Sequence, residues 1–267
     1  MDHPLDVIKA NEASEDVNGH YQFTSTLIVY RDGDDIYHGT SKARYLSPAE
    51  FRFRLEHLSQ RIPIPISAYA PPLPLNFTRK PRLISYDRYH QGPQPTYIAD
   101  DVLRETAVCE LLRQNPHPNI AEYRGCQVSG GDKRIVGVCF AKYEQTLMQA
   151  VNPHSYGKRQ FQAARQDRLQ SYRHILKGVE SGLRHIHKLG FAHNDINPSN
   201  IMLHGDVPII IDFNSSQKVG ESLEGVGRTY EWYDETVQSS LPENDLNALQ
   251  EIRVWLFEDS TAFQFQE

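Results

Sequence analysis

GFAHNDINPSNIML (residues 190–203) and, four residues further on, PIIIDFN (208–214) are the stretches on which the reading of this 267-residue chain turns. The first sets His193, Asp195 and Asn200 in a polar loop, and the second ends an apolar strand on Asp212-Phe213. Asn200 follows Asp195 by five residues and precedes Asp212 by twelve. Taken singly, Asp195 and Asn200 read as Asx turns and Asp212 as a cap. Their joint spacing behind a helix reads differently, as two carboxylates and an amide brought to one place.

That helix is the clearest periodic signal in the chain. Over residues 166–189, Leu169, Tyr172, Ile175, Leu176, Val179, Leu183 and Ile186 recur every 3.6 residues, and Gly190 stops the run. Upstream, YQFTSTLIVYR (21–31), the turn DGDD and IYHGT predict a hairpin. Residues 1 to about 20 read as loose. Ser47-Pro48 opens AEFRFRLEHLSQ (49–60), where Phe51, Leu55 and Leu58 predict a short helix. RIPIPISAYAPPLPLN (61–76) reads as a proline-stiffened connector rather than a ligand for a proline-reading domain. A second helix is predicted from about Ala99 to Arg113, with Val102, Ala107, Val108, Leu111 and Leu112 on its apolar side and Pro116 and Pro118 beyond its end. Two strands then flank the turn SGGD.

The loop pattern HxDxxxxN followed by an IDF strand end resembles the catalytic loop and metal-binding segment of the protein kinase family. The resemblance covers roughly residues 77–256. It implies an α+β, bilobal kinase-like fold with a small β-rich N-lobe and a mainly helical, shortened C-lobe, since only 22 residues follow Asp245. The expected division is an N-terminal extension over 1–76, an N-lobe over 77–140 and a C-lobe over 141–267. It implies ATP and Mg²⁺ as cofactors, with Asp195, Asn200 and Asp212 catalytic and Asn200 and Asp212 the metal ligands. Oxygen ligands suit a hard cation, and Asp195 would orient the acceptor hydroxyl and take its proton. His193 is similar to the family's structural histidine packed on the phenylalanine of the second segment. For the nucleotide, the resemblance implies Lys80 or its neighbour Arg79 on a strand, Glu105 in VLRETAVCELL as the lysine's partner, Ala141 and Tyr143 as hinge backbone after a gatekeeper Phe140, and Met202. The phrase NPHPNIAEYRGC, like the family's connection after this helix, favours Glu105 over Glu110. In GRTYEWYDE (227–235), Glu235 matches the glutamate that closes the activation segment, and Asp245 in ENDLNAL matches the buried aspartate that holds the catalytic loop.

Departures from the family pattern are specific. No GxGxxG occurs, so the glycine flap over the phosphates is missing or replaced, with the DGDD turn as a candidate. Asn194 stands where the family has an arginine that reads a phosphorylated activation segment, Asn197 where it has a lysine, and Asn214 where it has a glycine.

Composition sets the outer bounds. A formal net charge of −6, 39% apolar and 23% charged residues describe a globular chain, and they argue against nucleic acid or anionic membrane as partners. No apolar stretch approaches the roughly 20 residues of a membrane span. Cys109, Cys126 and Cys139 form no CxxC pair, which predicts buried free thiols and an intracellular, cytoplasmic or nuclear chain. His185 and His187 read as an unpaired, solvent-facing pair at a helix end. The leading expectation is a protein serine/threonine kinase acting on an unidentified protein substrate. The alternatives are a pseudokinase scaffold, favoured by the missing flap, and a small-molecule phosphotransferase, against which GRTYEWYDE speaks.

Overall fold

A computed structural model describes residues 5–17, 20–33, 35–44, 54–69, 86–89, 95–129, 134–165 and 171–265. Packing divides the chain into two compact units, Met1–Leu103 with Cys126–Val138, and Arg104–Gly125 with Cys139–Glu267.

The first unit carries an antiparallel sheet of four strands in chain order: β1 (Asp6–Val17), β2 (His20–Asp32), β3 (Asp35–Ser41) and β4 (Leu58–Ile64). The expected hairpin is β2 and β3, with Asp32 opposite Asp35 and Gly33 entering the turn at φ 64°. Both faces of β2 are covered around residues 28–30, which is why the run LIVY (27–30) is continuously apolar rather than alternating. Ile28 and Tyr30 pack with Val7, Ala10, Tyr37 and Leu58, while Val29 packs with Ile64, Ala68, Tyr86 and Ile98.

Three expectations for this region are corrected. Residues 6–17 are not loose but form β1, paired with β2 from Asp6 opposite Arg31 to Val17 opposite His20. As an edge strand, DVIKANEASEDV is held by backbone hydrogen bonds and needs few apolar side chains. The overlooked signal is Asn18-Gly19 between the paired Val17 and His20, the commonest hairpin dipeptide. The helix expected over 49–60 lies partly outside the described residues. Its described part is a single 3₁₀ turn, Leu55–His57, leading into β4. Leu58 meets Ser41 and Ile62 meets His38, with a register shift between them, so pairing partners rather than helical spacing decided the conformation. The proline connector likewise begins inside β4, where Pro63 opposes Tyr37 on an edge strand that leaves room for a missing donor. Short helices α1 (Ile66–Tyr69) and α2 (Tyr86–Tyr89) complete this part of the unit.

Helix α3 (Tyr97–Gln114) appears where predicted, two residues earlier at its start, and ends before Pro116. Val102, Val108 and Leu112 are buried as expected, but Ala107 faces solvent. The ladder of β5 (Tyr123–Val128) and β6 (Ile135–Phe140) matches the two predicted strands. The three cysteines are thiols, but only Cys109 is buried as expected; Cys126 is half-buried and Cys139 exposed, because they lie on a two-stranded ladder rather than in a core.

In the second unit follow β7 (Gln145–Thr146), α4 (Leu147–Val151), α5 (Lys158–Ala164), α6 (Arg173–Lys188), β8 (Phe191–Ala192), β9 (Ile201–His204), β10 (Val207–Ile210), β11 (Gln217–Lys218) and α7 (Pro242–Phe257). Small sheets run β10-β9-β7 and β11-β8. The predicted long helix is α6, starting at Arg173 after a turn at Ser171-Tyr172, while Leu169 lies outside the described residues. It buries Ile175, Leu176, Val179, Leu183 and Ile186, and Gly190 leaves it at φ 85°. Among the described residues no helix is long and apolar enough to cross a membrane.

Gly178 and Gly182, one turn apart on α6, let β10 and the 115–121 segment approach. A Cβ at Gly178 would lie 2.5 Å from the Pro208 ring, and one at Gly182 would lie 2.8 Å from Ile210 and 3.1 Å from the Asn119 carbonyl. Gly178→Ala is therefore expected to destabilise by about 1–3 kcal/mol, overpacking outweighing the roughly 1 kcal/mol that alanine gains in helix propensity. Denaturant melts check this, and a stabilised variant would show that β10 shifts freely.

Candidate active site

The loop between β8 and β9 is built on a buried carboxylate. Asp245, in the first turns of α7, is 0% exposed and accepts hydrogen bonds from the backbone N–H of His193 (2.8 Å) and of Asn194 (2.7 Å). His187 Nε2 lies 2.7 Å from the same carboxylate. His185 Nε2 is 2.8 Å from the Asn115 carbonyl, and its ring stacks on His117 at 5.0 Å. The two histidines expected to face solvent are thus both engaged, because the end of α6 is covered by α7 on one side and by the 115–121 segment on the other. Asp245 performs the anchoring that the resemblance implied.

His193 works as a strut. Its Nε2 donates to the Ile211 carbonyl at 3.0 Å, its Nδ1 accepts from the Asp195 N–H at 3.3 Å, and its ring meets Phe213 edge-on at 5.5 Å. The loop is thereby tied to the chain that delivers Asp212, as is also done by the Ile211 N–H bond to the Asn200 carbonyl (3.0 Å). Asp212 takes the left-handed conformation at φ 61°.

Asp195 is buried, 7% exposed, and both its oxygens are occupied by donors. Oδ1 accepts from the Thr229 N–H at 2.7 Å and from Asn197 Nδ2 at 3.2 Å, and Oδ2 accepts from Asn200 Nδ2 at 2.9 Å. Burial pushes its carboxyl above the ordinary carboxylate range and the nearby Asp212 adds to this, against the Thr229 hydrogen bonds and His193, which pull it down. Asn200 Nδ2 also donates to the Asp195 carbonyl at 2.8 Å. With its amide nitrogen spent on Asp195, Asn200 has its Oδ1 as the side-chain atom that could hold a cation.

The three asparagine departures have structural uses. Asn194, at φ 63° where asparagine is better tolerated than most residues, donates to the carbonyls of Ala192 (3.0 Å) and Ser215 (3.2 Å) and to Ser240 Oγ (3.0 Å), and accepts from Asn244 Nδ2 (3.0 Å). Asn197 links the acid to Thr229 Oγ1 at 3.1 Å, in the place where a lysine was expected. Asn214 accepts from Ser215 Oγ at 3.1 Å, and the same hydroxyl reaches the Gly227 carbonyl at 2.5 Å. The segment from 213 to 240 also pairs with itself, Ser222 bridging Ser239.

Other expected residues fall out as follows. Glu105 is buried in α3, 1% exposed, whereas Glu110 pairs with Arg113 at 2.6 Å, so burial favours the choice of Glu105. Lys80 and Arg79 lie outside the described residues. The Ala141 N–H is bonded to the Glu122 carbonyl at 2.9 Å, and Met202 is half-buried on β9 opposite Ile209. Glu235 is exposed, which gives no support to its match with a glutamate that closes the activation segment. The residue missed in that segment is Thr229, which closes on the acid through its backbone. It stood inside the recognised GRTYEWYDE, but a backbone donor has no side-chain signature.

A helix, an anchored loop carrying an acid and an amide, a β-hairpin and a second acid followed by phenylalanine together define a protein-kinase-type catalytic lobe. The sequence matches the protein kinase domain over residues 87–240, more than half of the chain, and the chain belongs to that family. Among curated proteins it is similar to "Cyclin-dependent kinase 11.2" of Caenorhabditis elegans, 25% identical over 55% of this chain and 21% of that protein. It is also similar to "Serine/threonine-protein kinase Tao" of Drosophila melanogaster, 29% identical over 67% of this chain and 16% of that protein. The chain thus spans about a fifth or less of the length of these relatives.

Proposed function

We propose that the chain is an ATP- and Mg²⁺-dependent protein kinase that transfers the γ-phosphate to serine or threonine hydroxyls of a protein substrate. The observation that carries this is Asp195, a buried carboxylate aimed by three donors beside Asn200 and ahead of Asp212. In this reading, residues 77–140 and 141–267 serve as the two lobes. Asn200 Oδ1 and the Asp212 carboxylate would hold the ion, an oxygen donor set of the kind Mg²⁺ takes together with nucleotide phosphates. Bound there, the ion offsets phosphate charge. Asp195 orients the acceptor hydroxyl and accepts its proton at the carboxylate, while Thr229, Asn197 and Asn200 keep that carboxylate in place. Glu105, Ala141, Tyr143 and Met202 belong to the nucleotide side, with Lys80 the strand lysine. The name of the Drosophila relative, a serine/threonine-protein kinase, supports the serine/threonine assignment, and that of the Caenorhabditis relative supports a kinase.

The deciding measurement is calorimetry and thermal shift with ATP, with and without Mg²⁺. The wild type should gain stability with MgATP in proportion to occupancy, and Asp212→Ala should abolish the Mg²⁺ dependence. The missing GxGxxG motif favours a pseudokinase as the second reading. Binding of ATP equally well with chelator, together with no transfer to generic protein acceptors, would establish that alternative.

A further inference from the structure

Lys158 lies in the polar stretch PHSYGKRQF, where a lysine reads as a solvated surface charge. It is instead 4% exposed at the start of α5. Its Nζ donates to Glu251 Oε1 at 2.5 Å and to the Glu231 carbonyl at 2.6 Å, and sits over the rings of Phe263 (4.4 Å) and Trp232 (5.0 Å). Glu251, 0% exposed on α7, also accepts from the N–H groups of Gln264 (3.0 Å) and Phe265 (3.3 Å). Burial lowers the lysine's pKa, opposed chiefly by Glu251. Enclosing such a pair is costly compared with packed apolar residues, so it is a poor source of stability, which directs attention to another task.

The Glu231 carbonyl supplies that task. Glu231 is a non-glycine residue at φ 72°, a conformation that persists only where the surroundings impose it. It sits in a turn closed by the Trp232 N–H on the Thr229 carbonyl at 3.2 Å. The other side of Thr229 faces the site: its N–H donates to Asp195 Oδ1 at 2.7 Å, and its Oγ1 takes the Asn197 amide. The carbonyl that Lys158 grips therefore lies only two positions along the chain from the amide that aims the acid.

We propose that Lys158, backed by Glu251, is a positioning residue for Asp195: it holds the Glu231 carbonyl, and with it the turn that presents the Thr229 N–H to the carboxylate. This deepens the kinase reading and rests on it for its effect on rate. The charge-free variant Lys158→Met with Glu251→Gln tests it, since a neutral pair of similar volume is usually tolerated and the glutamine oxygen still accepts from Gln264, the shorter of the two amide bonds. With a protein acceptor, kcat should fall about 10- to 100-fold at unchanged KM for MgATP, the size expected for a misaimed group. The Thr229 amide resonance should move in ¹H–¹⁵N spectra. Adding Glu231→Gly, which adopts positive φ freely, should recover most of the lost rate. Wild-type kcat with an unmoved Thr229 resonance overturns the proposal, as does a lack of recovery with glycine. If the wild type transfers no phosphate the kinase reading fails, and the Thr229 resonance alone decides the clamp, an unmoved signal overturning it. Should the double variant not fold, Lys158→Arg keeps the buried charge but displaces its donors. It must then show the same kcat loss and resonance shift, and wild-type behaviour would overturn the proposal.

Discussion

Asp195→Asn should lower phosphoryl transfer by about 10²- to 10⁴-fold, the range for a lost general base, while MgATP affinity stays within a few fold. The reason is local. Asp195 meets only donors, from Thr229, Asn197 and Asn200. Asparagine satisfies one side and turns its own amide hydrogens on the other, so basicity and part of the aim are lost together. Single-turnover transfer beside calorimetric titration separates the two quantities, and transfer at the wild-type rate would remove Asp195 from the mechanism. The wild-type pH profile carries a related mark. Burial raises the Asp195 pKa, so the reactive carboxylate is lost, and transfer with it, as pH falls through a value above the ordinary Asp range of about 3.9. For stability the sign is reversed. The folded state holds this proton more tightly than the unfolded chain, so the group's contribution declines as pH rises from the ordinary to the raised value and is level above it.

Asp245→Ala should cost about 3–5 kcal/mol of stability and remove transfer as well, because it strands the His193 and Asn194 amides and the His187 ring in the interior. The conservative Asp245→Asn is little better, since one of its two polar atoms becomes a donor facing donors. Urea unfolding followed through Trp232 and Trp255, which meet at 5.6 Å, reports the loss directly. A stability loss below 1 kcal/mol would mean that the loop is held by the His193 and Asn194 side-chain bonds alone.

How much was legible follows from where information resides in a chain. The catalytic loop, Asp212-Phe213 and the α6 stripe were readable because each is local: a fixed spacing along one loop, or a 3.6-residue period along one helix, is set by covalent geometry. The phrase that follows the helix favoured Glu105 over Glu110, and Glu105 is the more buried of the two. The β2–β3 hairpin announced itself through its turn. Strand β1, the strand conformation of 58–64, the contacts of His185 and His187, and the sheltered position of Lys158 were not readable, since each depends on a partner distant in sequence.

By itself, then, the sequence determined the family, the acid–amide–acid constellation and the helix that precedes it, because chemistry of that kind demands particular side chains at short, fixed separations. Only the tertiary structure decided what holds the constellation. Thr229 reaches Asp195 across 34 residues of chain, Asp245 reaches Asn194 across 51, and Lys158 reaches Glu251 across 93. Such bonds run to backbone amides or between side chains that look solvated in sequence, and their energies exist only once folding has excluded water from both ends.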